Sequence, residues 1–365
     1  MTILATLIVL GVLIFVHELG HFWAAKAMGV EVQRFSIGLG PKIFGVRRGE
    51  TEYVIAAIPL GGYVKMGGMG DEVMEMIEGA EHRGSTTPPE RAFDNKPIWA
   101  RTVVISAGVV MNMLFAFFAH AGVAMVWGVQ VEPSDADPRV EAVTAGGPAA
   151  AAGIESGDVF QEVGGVPVAT WSEFVTEVEA RPGERVEFEI RREGREIVRI
   201  AELDAREAVL EDGSRTEVGR LGVQRRLDYL RVGAVDAVVL GFRQTVAVTG
   251  VILSFLRDLF TGDVSPRDVG SIFTIGEASG QAAALGADSL IIFMAIFSVN
   301  LAILNLLPIP ILDGGHLVFL AIEAVRGGRP LTARQRLRWS NVGFFVVLGL
   351  MAWALSNDVL RLLGI

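Results

Sequence analysis

His17 and His21 stand four residues apart with Glu18 directly after the first, an H-E-x-x-H pattern. On a helix that spacing puts both imidazoles on one face, one turn apart, where together they can grip one Zn²⁺. Glu18 then projects near enough to act as general base on a water molecule. The plainer reading is a pair of hydrogen-bonded core histidines, but two of only five histidines fall at this one spacing. A third ligand is offered nearly three hundred residues later, in the run Asn305-Leu-Leu-Pro-Ile-Pro-Ile-Leu-Asp313-Gly-Gly315. A carboxylate inside an apolar stretch is costly unless it binds a cation or is paired. Asp313 is therefore the preferred third ligand of a catalytic site that keeps one position open. His316, one turn beyond, is the rival ligand, or else a hydrogen-bonding neighbour of the ligands. Pro308 and Pro310 break helical hydrogen bonding and the two glycines permit close approach. Asp313 is thus expected on irregular backbone that lines a cavity.

These residues are carried by segments that suit a bilayer. The chain has 365 residues, 51% of them hydrophobic, and a mean hydropathy of +0.45. Four segments are apolar enough to span or nearly span a membrane: Thr2 to about Ala27, Thr102 to Val129, Leu290 to Leu312, and the shorter Val342 to Leu355. No Lys or Arg precedes the first, which argues against a secretory signal peptide. With no cysteine there is no Cys-ligated metal, disulfide or thiol nucleophile, and a net charge of −10 without a basic patch argues against nucleic acid as a partner. Arg326, Arg329, Arg334, Arg336 and Arg338 face one acid, Glu323, in the connection between the last two segments, which marks that connection as cytoplasmic. Alternation then puts 30–100 on the cytoplasmic side, 130–285 outside, and His17, His21 and Asp313 at similar depth near the cytoplasmic face.

Residues 51–66 read as a β-hairpin turning at Pro59-Leu60-Gly61-Gly62, apolar enough to dip into the membrane surface. Its open edge around Gly61, Gly62 and Tyr63 is a place for an extended substrate to add a strand. Residues 67–90, rich in Gly, Met and acids, read as a loop. Residues 131–227 alternate as short strands around one helix, Trp171 to Ala180, with Gly219-Arg-Leu-Gly222-Val223 as the strand of a peptide groove. The stretch 232–260 suits an amphipathic helix lying on the outer surface. A fifth span is the alternative, against which Arg243 in its middle argues. Asn112, in a span free of charge, serves either to contact substrate or to join helices by hydrogen bonding.

The motifs together are specific. The chain resembles the site-2 protease family of intramembrane zinc metalloproteases, closely its bacterial RseP-type branch that carries out regulated intramembrane proteolysis. The match rests on His17–His21, Phe35–Pro41, Pro59–Met66, Ser106–Asn112, the 131–227 run and Asn305–His316, and so covers nearly the whole chain. The resemblance implies His17, His21 and Asp313 as zinc ligands and Glu18 as base. It implies a membrane-re-entrant β-loop at 51–66, substrate contacts at Asn305, Pro308 and Pro310, and a PDZ domain in the bacterial, circularly permuted arrangement whose groove at Gly222 and Val223 takes peptide or protein C-termini. The implied fold is an α-helical polytopic membrane protein of about four transmembrane helices and a re-entrant β-hairpin, with an inserted β-rich PDZ domain. Its parts are 1–130 and 286–365 as the two halves of the membrane core, 131–227 as the extracytoplasmic PDZ domain, and 228–285 as a linker at the outer surface. The implied activity is cleavage of transmembrane segments of single-pass proteins after a prior extracytoplasmic cut, with anti-sigma-factor-type proteins or remnant signal peptides as substrates, in a bacterial inner membrane. The competing class is a proteolytically inactive PDZ adaptor, against which the intact Glu18 argues. Two departures stand out: one PDZ domain where enterobacterial members carry two, and no Gly-Pro pair in 264–275.

Overall fold

The computed structural model describes residues 2–69, 87–131, 137–144, 146–209, 215–225, 228–264 and 270–362. Most of the loop expected over 67–90, and 265–269 of the stretch lacking the Gly-Pro pair, lie outside the described residues. The chain forms two compact units, Met1–Trp127 with Val232–Ile365, and Gly128–Arg231.

In the first unit, α1 (Thr2–Ala27) and α2 (Ile98–Val126) are long, almost uncharged helices that cross where Gly20 meets Ala107. A Cβ at Gly20 would fall 2.7 Å from the Met111 side chain and closer still to the Ala107 backbone, so only glycine allows this approach. Between the two helices, β1 (Val32–Arg48) and β2 (Thr51–Met66) turn at Gly49-Glu50. Their register departs from the expected hairpin. Residues 62–66 pair antiparallel with 32–37 (Val32 with Met66, Ile37 with Gly62), whereas 52–55 run alongside 34–37 with both numbers rising, Arg34 with Glu52 and Ile37 with Ile55. Residues 42–48 close the far side against 51–56. The two arms of 51–66 therefore do not pair with each other. Residues 32–37 lie between them, with Val32, Phe35 and Ser36 buried as a central strand requires. Phe35 and Tyr53 meet Phe15 and Phe22 of α1 at ring separations of 5.5–5.9 Å, which docks the sheet on the motif helix. At the turn, Lys26 and Arg91 both pair with Glu50, and their hydrogen bonds hold its carboxyl below the usual carboxylate range.

The stretch 232–260 is helical, as expected. It forms α5 (Ala234–Thr261), 28 residues or about 42 Å of helix, running antiparallel along α2. Gly241 lies on Ala121 and Phe117, Thr245 on His120, and Val248 packs with Ala116. Arg243 faces away from this seam and is exposed. With α1, α2, α7 (Ala287–Asn305) and α9 (Ala333–Leu362), α5 is one of five helices among the described residues that are long and apolar enough to cross a membrane. The alternative of a fifth span, against which Arg243 argued, thus meets the same test of length and hydropathy as the other four.

α6 (Ile272–Leu285) returns along α1, with Thr6 Oγ1 2.9 Å from Ser279 Oγ and Gly276 and Gly280 against Thr6 and Thr2. The segment expected as one span over 290–312 is divided: α7 ends at Asn305, residues 306–312 form a link, and α8 (Asp313–Val325) begins at Asp313. Asp313 thus sits in the first turn of a helix, where backbone N–H groups favour a carboxylate, rather than on irregular backbone. Arg101 at the start of α2 makes a buried fork to Glu323 near the end of α8, one prong at 3.0 Å. Removing either partner leaves a buried charge alone, a change that costs about 3–5 kcal/mol.

The second unit is β-rich. Strands β5 (Val159–Val163), β6 (Val166–Pro167), β7 (Arg185–Arg192) and β8 (Arg195–Glu202) form a sheet in the order β6-β5-β7-β8. α4 (Trp171–Glu179), capped by Thr170 and Glu173, lays Phe174 on Phe160 with rings 4.2 Å apart. Arg192 donates to the fully buried Asp158 at 2.7 and 2.8 Å. Short pairs β3 (Val129–Val131) with β12 (Asp228–Leu230), β4 (Val140–Val143) with β11 (Val223–Arg225), and β9 (Asp204–Val209) with β10 (Arg215–Arg220) complete it. The remaining helix of this unit, α3 (Pro148–Ala151), is one short turn. The expected groove strand 219–223 is interrupted. β10 ends at Arg220, Leu221 turns into the core, and Gly222 adopts φ 80° before β11 starts.

Candidate metal centre

The three predicted ligands converge. His17 Nε2 lies 3.2 Å from His21 Nε2 and 3.2 Å from Asp313 Oδ2, and His21 Nε2 lies 3.4 Å from Asp313 Oδ2. Ligand atoms about 2.1 Å from a tetrahedral ion stand about 3.4 Å from one another, so these separations are those of a coordination shell. Asp313 Oδ2 is buried and has no hydrogen-bond donor, an arrangement that leaves its charge for a cation. Among the described residues this is the group of His, Asp and Glu side chains able to hold a metal ion. The donor set, two imidazoles and a carboxylate, suits zinc.

α2 is the surface against which both imidazoles lie. His21 Nδ1 donates to the Val104 carbonyl at 2.9 Å, which leaves Nε2 unprotonated toward the other ligands. One turn further, a Cβ on Gly108 would fall 2.7 Å from His17 Cε1 and 2.8 Å from His21 Cε1. Another turn on, Asn112 is fully buried with its side-chain nitrogen 3.2 Å from His17 Nδ1, while Ser298 Oγ of α7 donates to its backbone carbonyl at 2.9 Å. Gly108 and Val104 were not singled out as site residues. The signal for Gly108 was its place four residues before Asn112, but a backbone carbonyl leaves none. Gly108→Ala is expected to displace both rings and weaken zinc binding about 10–100-fold, the range for disturbed outer-shell support. Zinc retention against a competing chelator measures it, and unchanged retention would mean the rings do not rest there.

The other predicted residues fall as follows. Glu18 is buried beside the ligands, and Gly62 lies against it: a Cβ there would come within 2.9 Å of Glu18 Cγ and 2.8 Å of Ile14. Gly61 has φ 112° and Tyr63 accepts from Arg34 at 3.2 Å. Residues 62–66 pair along one edge with 32–37. Asn305, the last residue of α7, has its amide nitrogen 3.3 Å from His17 Nε2. Pro308 and Pro310 lie in the 306–312 link, where Gly343 of α9 packs on Pro310. Close contact of Gly314 and Gly315 with the backbone of 306–310 folds that link tightly onto the start of α8. His316 stands edge-on to Phe319, ring centres 6.1 Å apart, outside the converging group. Gly222 and Val223 belong to the second unit.

The family model of peptidase family M50 matches residues 5–350. A protein of Brucella suis provisionally named a zinc metalloprotease is 34% identical over 98% of this chain and 95% of its own length. The regulator of sigma-E protease RseP of Salmonella typhimurium is 31% identical over 98% of each chain, and the regulator of sigma-W protease RasP of Bacillus subtilis 29% identical over 99% of each. A solved PDZ domain of an SdrC-like protein from Listeria monocytogenes is similar over 27% of this chain and 93% of its own, at 21% identity and a TM-score of 0.20. The chain belongs to peptidase family M50 and is a multi-pass membrane metalloprotease of the site-2 type.

Proposed function

We propose that the protein is a zinc endopeptidase that cleaves transmembrane segments of single-pass membrane proteins, with Glu18 as general base and His17, His21 and Asp313 holding the metal. The observation that carries this reading is the position of Gly62, on a strand directly against Glu18. A transmembrane helix hides its carbonyls in its own hydrogen bonds and must unwind before hydrolysis, and inside a bilayer its freed backbone needs new partners. The edge at Gly61–Tyr63 supplies them as an added strand and presents the scissile carbonyl beside the base. Bound zinc would polarise that carbonyl and make water more acidic. Glu18 takes the proton of the attacking water and passes it to the departing amine. Asn305, with its amide directed at the metal face of His17, orients the substrate strand from the opposite side, and the Pro308–Pro310 link shapes that wall.

The substrates are single-pass proteins already shortened on the outer side, such as anti-sigma-factor-type proteins, or remnant signal peptides. In this reading the site faces the cytoplasm and residues 131–227 lie outside, in a bacterial inner membrane, and the arginine-rich connection supports that orientation. There the PDZ-type groove at Gly222 and Val223 takes C-termini exposed by the earlier cut. The test is purified protein in liposomes with a model transmembrane substrate, comparing untreated, chelator-treated and Gly62→Ala samples. Chelation is expected to abolish cleavage. The Gly62→Ala change, which pushes the strand off Glu18, should lower kcat/KM about 10–100-fold, as misplacement by an ångström does. Cleavage indifferent to both would refute the reading.

A further inference from the structure

We infer that Asn112 is a positioning residue for the metal: its side-chain oxygen accepts the Nδ1 proton of His17 and so fixes which nitrogen of that ring faces Asp313. The inference rests on the zinc reading above. Each ligating imidazole must carry its proton on the nitrogen turned away from the ion. For His21 that proton goes to the Val104 carbonyl, which can only accept. For His17 the neighbouring group is the Asn112 amide, the side chain that lies against its Nδ1. With the amide nitrogen 3.2 Å from Nδ1, as the atoms stand, the NH₂ would donate there. The His17 proton would be forced onto Nε2, between His21 Nε2 and Asp313 Oδ2, where it obstructs the metal. The same orientation leaves Asn112 Oδ1 buried without a donor. A half-turn of the amide brings Oδ1 onto His17 Nδ1, and a proton on a metal-bound imidazole is a strong, charge-assisted donor for it.

Two further observations assign the side chain to this task. Asn112 has no exposed surface, so it is shut off from substrate. The link between α2 and α7 at this level is already made by Ser298 to the Asn112 backbone carbonyl, which any residue supplies. Val104, Gly108 and Asn112, spaced four apart on α2, thus form one stripe: an acceptor for His21, a gap for both rings, and an acceptor for His17.

The test is zinc affinity of the full protein in detergent, by competition with a chelator of known affinity, for wild type, Asn112→Asp and Asn112→Leu. A carboxylate can only accept, so Asn112→Asp is expected to bind zinc at least as tightly as wild type. Asn112→Leu, similar in size but without an acceptor, is expected to bind about 10–100-fold more weakly, with thermal unfolding of the metal-free protein unchanged. Weakening by Asp as large as by Leu would overturn the assignment, because it would mean that the amide donates or merely fills space. Wild-type affinity in Asn112→Leu would overturn it equally. If Asn112→Leu does not fold, the Asp arm alone decides. Wild-type protein without measurable zinc affinity would instead sink the reading on which this inference rests.

Discussion

Glu18→Gln is expected to stop proteolysis while leaving the metal in place. The substitution keeps the size of a side chain packed beside Gly62 and the two histidines, but removes the group able to hold a proton between water and the leaving amine. General acid–base assistance is worth about 10²–10⁴-fold, and one carboxylate here serves both proton transfers, so the upper part of that range is expected. Cleavage of a reconstituted transmembrane substrate gives the rate, and metal analysis of the same sample gives the zinc content. Near-wild-type cleavage would remove Glu18 from the mechanism. Loss of zinc together with activity would make it a structural support of the ligands instead.

The second large effect is expected at Asp313. Its Oδ2 stands 3.2 and 3.4 Å from the two imidazole nitrogens and takes no hydrogen bond, so a cation is the partner that offsets its burial. Asp313→Asn keeps the shape and removes the charge. Zinc affinity should fall by more than the roughly 10–100-fold typical of outer-shell changes, and cleavage should fall with it. His316→Ala is the control: that ring stands on Phe319, outside the converging group, and its removal should leave zinc bound. Zinc kept by Asp313→Asn and lost by His316→Ala would exchange the two assignments.

Much of this site is legible in the sequence. The four-residue spacing of His17 and His21 acts within one helix and needs no tertiary information. Asp313 was visible because a carboxylate among apolar residues demands an explanation. The long apolar helices followed from hydropathy, whereas the Gly241-Thr245-Val248 seam of α5 on α2 is a matter of fit between helices. The sheet was legible in extent and not in order. Alternating apolar residues mark strands, but a stretch in which 34–37 and 52–55 run in the same direction leaves no local signature, so 51–66 read as a hairpin closed on itself.

By itself, then, the amino-acid sequence determined the chemistry: the ligand types, the base, and the apolar helices that carry them, all set by local spacing and by the cost of charge in lipid. The tertiary structure alone decided three things. It brought Asp313 to the helix of His17 and His21, it placed the Gly62 edge on Glu18, and it laid both imidazoles on the Val104–Gly108–Asn112 stripe of α2. The last two depend on close approach of segments far apart in the chain, permitted at Gly20, Gly62 and Gly108 because a Cβ there would collide. A glycine shows in a sequence, but the surface it must clear appears only when the chain is folded.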